Sequence, residues 1–407
     1  MEKIRIAVRK FAPFESTLQK LWDLFCQENN ISIEAEMIPL ELHDLYQETI
    51  TNKGLKNGSW DIAHLNTDWI FDAVKEQAVQ DLTPFIAQNA PQNYPEGWHQ
   101  SLLHLQQINN ATYGLPFHDG PECLIFRKDL FEDATEQLNF KKRFGYELHP
   151  PKTWEEFTQI ATFFNRPDEG LYGCVFANYP DGHNMVFDFC LQLWTRGGSL
   201  LDGQNKIEIN TPAAVKALEY YRNIVNNTNA VHPKSKDFGS VEAGMAFAKG
   251  EAALAINWFG FASMCEVIAE SKVKGRVDIA ELPHEKNHKT ASLNVYWLYT
   301  IGAGSKHQQL AYDFLRFATT PEGDKLLTKE GGIGCRKSTW NDPEINETIP
   351  FYHKLGMLHE HALTLPQIPV WPKVTELIEQ MVLKALESTI SSEKLLEETQ
   401  KSIQKII

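Results

Sequence analysis

The sequence predicts an α/β protein of two lobes, each a mostly parallel sheet with flanking helices, with a binding cleft between them. Three observations predict it. The first eighty residues alternate strand and helix periods in the order βαβαβα, the pattern of a parallel sheet covered by helices. The length of 407 residues exceeds what one core comfortably fills. Residues 113–132, YGLPFHDGPECLIFRKDLFE, carry Gly114, Pro116, Gly120 and Pro121 so closely that no regular element runs through them. That punctuation marks a passage from one lobe to the next, with a hinge at residues 117–121 and the strand 123–126 opening the second lobe.

The elements follow in order. Ile4, Ile6 and Val8 alternate with polar residues as a half-buried strand, and Pro13 ends it. Leu18, Leu21, Trp22 and Phe25 then keep a helical period, Ile31, Ile33, Ala35 and Met37 alternate again, and Leu42, Leu45, Tyr46 and Ile50 return to the helix. A short apolar strand spans 62–65 and a helix restarts at 70. Thr153 and Glu156 form a capping box that opens a helix through Phe157, Ile160 and Phe164. Residues 184–195 read as a buried helix, with a small hairpin around Asp202-Gly203. Thr211-Pro212 opens the next helix with a cap residue and a first-turn proline. Strands follow at 252–257 and 293–301, the latter a late return to the first lobe. Ser305 with Gln308 reads as a second capping box, and Thr320-Pro321 opens a further helix. Beyond Lys373 the tail is two amphipathic helices, with Val374, Leu377, Ile378, Met381 and Ala385 on one face.

Composition narrows the function. A formal net charge of −14 argues against a nucleic-acid or anionic-membrane surface and fits a neutral ligand. No run of about eighteen apolar residues occurs, so nothing in the sequence spans a membrane. The N-terminal stretch MEKIRIAVRKF enters a strand directly and lacks the apolar core of a secretory signal. Six cysteines lie at 26, 123, 174, 190, 265 and 335 with no CxxC pair and no zinc spacing. Buried free thiols are the simplest reading, and a disulfide between some pair stays open.

Known catalytic devices are missing. Gly302-Ala-Gly-Ser-Lys306 lacks the spacer of a phosphate loop and reads as a strand-to-helix turn. His359-Glu360-His361 does not place its histidines one helical turn apart, so a solvated helix surface accounts for it better than a zinc site. There is no GxSxG elbow, no acidic pair can be singled out, and no metal or other cofactor is expected. What stands out is polar and aromatic residues together at strand ends. A sugar presents hydroxyls, which want Asp, Asn or Arg, and C–H faces, which want flat rings. Asn66 and Asp68 with Trp69 have that mixture, as do His118 with Asp119, Asn257 with Trp258, and Asn294 with Tyr296 and Trp297, with Arg336 further along. Trp69 and Phe14 are expected in the core.

Several motifs occur in a specific order: Trp60-Asp-Ile-Ala63, Gln80-Asp-Leu-Thr-Pro84, Tyr113-Gly-Leu-Pro116 leading to Phe126-Arg-Lys-Asp-Leu-Phe131, and Pro151-Lys-Thr-Trp-Glu-Glu-Phe157. Leu193-Trp-Thr-Arg-Gly-Gly198, FAKGEAALAINW ending at Trp258, and Thr320-Pro-Glu-Gly323 complete the series. Through them essentially the whole chain resembles the extracellular solute-binding proteins of ABC importers, of the carbohydrate-binding, maltose-binding-protein-like type. The resemblance implies the type II two-lobe periplasmic-binding-protein fold, with discontinuous lobes: residues 1–118 plus 293–322, and 119–292 plus 323–407. Crossovers are implied near 117–121 and 290–293. It implies a receptor that does no chemistry, closes on a sugar or oligosaccharide and delivers it to an ABC permease in the membrane. A monomer in the periplasm or outside the cell, membrane-tethered or free, is implied with it; the missing signal leaves a cytoplasmic location open.

Position by position, Phe11, Asp68, Asp119, Trp258, Asn294, Tyr296, Trp297, Arg336 and Trp371, the last in Pro369-Val-Trp-Pro372, correspond to cleft residues of that family. Two alternatives remain at this point: a ligand-sensing module for a membrane sensor kinase or chemoreceptor, and an intracellular carbohydrate-active enzyme.

Overall fold

The computed structural model describes residues 3–368 and 370–407 and divides the chain into two compact units. Unit 1 comprises the chain up to Gly120 and Asn294–His359; unit 2 comprises Pro121–Leu293 and Glu360–Ile407. Residues 323–359, expected in the second lobe, therefore belong to unit 1. Their anchor is a buried carboxylate. Asp324 accepts the Cys335 N–H at 2.8 Å and the Arg336 N–H at 3.2 Å, and Ser16 and Lys20 of the first helix both bind Glu330. The expected bounds put the third passage between units at 322–323, whereas the chain makes it after His359.

In chain order the strands are β1 (Lys3–Arg9), β2 (Glu34–Leu40), β3 (Ile62–Asn66), β4 (Gln107–Ile108), β5 (Ala111–Thr112) and β6 (Leu115–His118). They continue as β7 (Glu122–Arg127), β8 (Tyr172–Val175), β9 (Ala252–Trp258), β10 (Val277–Ala280) and β11 (Ser292–Leu293). The last two are β12 (Trp297–Ile301) and β13 (Ala362–Leu363). Unit 1 holds a sheet in the order β2-β1-β3-β12-β6. β1 runs parallel to β2 and β3, with Ile6 opposite Met37 and Ile62, while β12 runs antiparallel to β3 and β6. Unit 2 holds the order β10-β7-β9-β8, in which only β8–β9 is parallel. Both sheets are thus more mixed than a mostly parallel pattern. β6, β7 and β12 flank the passages between units, and the chain enters or leaves a sheet there without the covering helix a parallel return needs.

The core of unit 1 forms where β1 meets the helix Ala12–Asn29. Phe14, Leu18, Leu21, Trp22 and Phe25 share one helical face and pack on Ile4, Ile6 and Val8, with Tyr312, Phe314 and Leu315 closing the cluster. Each such side chain stabilises the fold by roughly 1.5–3 kcal/mol when fully buried. The helix stops at Asn30, whose left-handed backbone (φ 54°) turns the Ile31 N–H back to the Cys26 carbonyl at 3.0 Å.

In unit 2 the helix Trp154–Phe164 carries both arms of its capping box. β8 runs hard against this helix: a Cβ on Gly173 would fall 1.8 Å from the Ala161 carbonyl oxygen, so only glycine fits. The helix Asn184–Trp194 is buried along its whole length. A second capping box at Ser305–Gln308 does not form. The Ser305 hydroxyl donates to Asp61 and accepts the His307 N–H, and Gln308 turns back to the Ala303 carbonyl. All six cysteines are free, and all but Cys26 are buried. Among the described residues, no helix is long and apolar enough to cross a membrane.

Candidate functional site

Register brings one set of predicted residues to a single end of the unit 1 sheet. β1 and β3 are parallel, so their carboxyl ends coincide and deliver Phe11 and Asn66–Asp68 to the same edge. β6 runs with them and ends at His118, while β12 runs the other way and begins at Trp297, opposite both Asn66 and His118, so the two strands add those side chains to that edge. Phe11 precedes the first turn of its helix with extended backbone and is 42% exposed, its ring meeting Phe14 edge-on at 5.0 Å. Phe14 lies beneath and touches His118 and Trp297 at centroid distances of 4.6 and 6.4 Å. Trp297 crosses Trp69 nearly at right angles, 5.7 Å away. The Asn66 side chain accepts the Asp68 N–H at 3.2 Å, holding the turn that presents both half-buried polar groups. His118 accepts the Ile333 N–H on Nδ1, and burial holds its pKa down at about 4, so it meets solvent as a neutral ring. Exposed and half-exposed rings beside an amide and a carboxylate are thereby fixed on strand ends rather than on mobile loops.

Unit 2 has a corresponding sheet end. Glu122 at the start of β7 stands opposite Trp258 at the end of β9, and the parallel β8 leaves the sheet at the same end through residues 176–183. Trp258 is half-buried and meets Phe187 edge-on at 5.9 Å. Its neighbour Asn257 points inward to the Ser240 carbonyl and accepts the Trp258 N–H. Tyr179 is 53% exposed on the segment leaving β8.

Beneath Trp258 lies an acidic group that the site prediction did not contain. Glu122 and Asp188 are both buried, and the Tyr221 hydroxyl donates to Asp188 at 2.6 Å. Burial, opposed by the Tyr221 hydrogen bond and helped by Asp181, pushes Asp188 up to about 7, and burial with the nearby Asp188 and Asp181 pushes Glu122 well above the ordinary carboxylate range. The signal was present in the sequence: Asp188 is the only charged residue in the apolar run NMVFDFCLQLW. From the ordinary carboxylate range up to about 7, folded Asp188 keeps a proton that the unfolded chain has released. Stability therefore falls as pH rises through that window. Wild-type protein is expected to lose about 1–2 kcal/mol between pH 5 and 8, and Asp188→Asn to show a flatter profile, in denaturant melts run across that range.

The remaining predicted residues are taken up inside unit 1 or at the start of a unit 2 helix. Tyr296 is fully buried and donates to Gln106 at 2.6 Å. Asn294 donates to the Ser101 carbonyl, and Asp119 lies 2.6 Å from His359 Nε2. Arg336 spans the Thr319 and Gln92 carbonyls with its guanidinium 4.1 Å above the Trp98 ring. Trp371 is the first residue of the helix Trp371–Glu387 and is buried; Pro369 of its motif lies outside the described residues. His359 is not on a solvated surface as expected, but sealed under Trp340, which stacks on it at 5.0 Å. Among the described residues, no group of three His, Cys, Asp or Glu side chains is placed to hold a metal ion.

Known proteins resemble the chain along nearly its whole length. The "Probable ABC transporter-binding protein" of Deinococcus radiodurans is 23% identical over 357 residues, covering 84% of this chain and 78% of that one. The "Mannitol-binding protein" of Pseudomonas aeruginosa is 24% identical over 405 residues, covering 95% and 88%. Among solved structures, maltose-bound T. maritima MalE3 superposes with a TM-score of 0.85 at 24% identity, with both chains covered completely. The profile described as bacterial extracellular solute-binding protein matches residues 11–325. This chain belongs to the bacterial extracellular solute-binding protein family.

Proposed function

We propose that the solute is a neutral polyhydroxy compound, a sugar, oligosaccharide or sugar alcohol, and that the chain delivers it to an ABC permease. The observation that carries the reading is the sheet end of unit 1, where Phe11 and Trp297 stand with Asn66, Asp68 and neutral His118 on rigid strand termini. Flat rings pack on sugar C–H faces, and amide, carboxylate and imidazole partner its hydroxyls. Trp258 of unit 2 is a further ring suited to stacking, at the sheet end of its own unit. Mannitol and maltose as ligands of two similar proteins support the same class. No reacting group is called for. Binding free energy goes into stabilising a closed state, by a hinge motion that the permease reads. The protein works as a monomer outside the cytoplasm.

Calorimetric titration of the full chain against a panel of maltose, D-mannitol, arabinose oligosaccharides and charged amino acids tests this. Saturable binding of one neutral polyhydroxy compound is expected. Binding of a charged amino acid with no response to any sugar overturns the ligand class.

A further inference from the structure

The chain passes between the units at Gly120–Pro121, Leu293–Asn294 and His359–Glu360. In unit 1, side chains from two of the passages meet at Ser101, and Asp119 of the third joins them through His359. Ser101, in the short turn Gln100–Leu102, lies with its hydroxyl 2.8 Å from His359 Nδ1 and accepts the Asn294 amide on its carbonyl, also at 2.8 Å. The far side of the same imidazole, Nε2, lies 2.6 Å from Asp119 Oδ2. The His359 and Asp119 side chains are 0% and 1% exposed. His99 Nδ1 sits 2.7 Å from the Ser101 hydroxyl and completes the ring of partners.

Unit 2 repeats the arrangement with a different serine. The Ser292 hydroxyl donates to the Glu122 carbonyl, and its N–H donates to the His361 carbonyl at 3.0 Å. β11 then pairs with β13, Ser292 opposite Ala362. Each passage is therefore gripped inside unit 1 at Asp119, Asn294 and His359, and inside unit 2 at Glu122, Ser292 and His361.

We infer that Ser101 and Ser292 are paired clamps that confine the motion between units to Gly120–Pro121, the Leu293–Asn294 link and Glu360. The Asp119–His359 pair is then a positioning element that sets the balance of open and closed states rather than a ligand contact. The inference rests on the closing receptor proposed above. Buried hydrogen bonds that share partners resist separation, so the segments between the clamps must absorb the dihedral changes of closure. Gly120, with φ at 130°, already occupies a conformation that other residues rarely reach. Any shift in the balance alters apparent affinity in proportion to the binding-competent fraction, with no change in ligand contacts.

Hydrogen exchange read by mass spectrometry on the full chain, with no ligand added, decides the matter. Ser101→Ala removes the hydroxyl that holds His359 and keeps the carbonyl that holds Asn294. Exchange is expected to quicken about tenfold in peptides covering residues 117–123 and 356–362 together, with β1 and β3 unchanged. Ser101→Thr, which keeps a hydroxyl, restores the slow rates. Ser292→Ala, in the other unit, keeps the N–H that holds His361 and removes the hydroxyl that holds Glu122, so it quickens the peptide covering residues 117–123 and carries the test should Ser101→Ala not fold. Whichever of maltose and D-mannitol binds the wild type binds the alanine variants with an affinity shifted about 3–10-fold, although neither serine touches it. Quickening confined to the substituted residue's own peptide, or spread evenly through its unit, overturns the clamps. Should neither sugar bind, the ligand reading fails while the exchange result still decides the clamps.

Discussion

Arg336→Ala is expected to lower the stability of unit 1 by about 3–5 kcal/mol, the range for removing one member of a buried charged network. The guanidinium donates to Thr319 at 2.7 Å and to Gln92 at 2.6 Å, and it covers the Trp98 ring. Its own backbone N–H is held by Asp324, whose pKa burial raises while the backbone donors and Arg336 oppose the rise. Alanine would leave the buried Thr319 carbonyl and the partly buried Gln92 carbonyl without this donor and open a cavity beside Trp98. Arg336→Lys rescues little, because a single ammonium cannot span both carbonyls and stack on the ring. Denaturant unfolding of the full chain, followed by Trp fluorescence, reads the loss. An unchanged unfolding curve with lost sugar binding would return Arg336 to the ligand site and remove it from the core.

Trp258→Ala is expected to weaken sugar binding by about 1–3 kcal/mol through lost stacking area, roughly 5–150-fold in affinity. The ring stands half-buried at the last residue of β9 and leans on Phe187, so its removal leaves the strand pairing with Glu122 intact. Stability should therefore change little, and Trp258→Phe should recover part of the affinity. Calorimetry with the sugar that binds the wild type measures both variants. An affinity unchanged in Trp258→Ala takes this residue out of the site.

How much of this was legible follows from the range of each interaction. The helix Ala12–Asn29 could be read because Phe14, Leu18, Leu21, Trp22 and Phe25 write one apolar face into consecutive turns. That Phe11, Asn66, Asp68, His118 and Trp297 share one sheet end could be read because strand ends in α/β units are where side chains leave the sheet. Residues 323–359 were placed in the wrong lobe because their anchor is a long-range carboxylate, Asp324, that no local pattern reveals. His359 was read as surface from a short His-Glu-His motif, yet Asp119, 240 residues earlier, and Trp340 enclose it. The burial of Tyr296 and Asn294 was hidden for a different reason. Alternation tells which neighbours point to opposite faces of a strand, but not which face is the core. Tyr296 takes the inner position and Trp297 the outer one.

The proposed role depends on closure of the receptor on its sugar. Small-angle X-ray scattering of the full chain through a titration with the sugar identified by calorimetry tests it most directly. A radius of gyration that shrinks with the same midpoint as the binding isotherm is expected. Saturated binding with an unchanged scattering profile would contradict it.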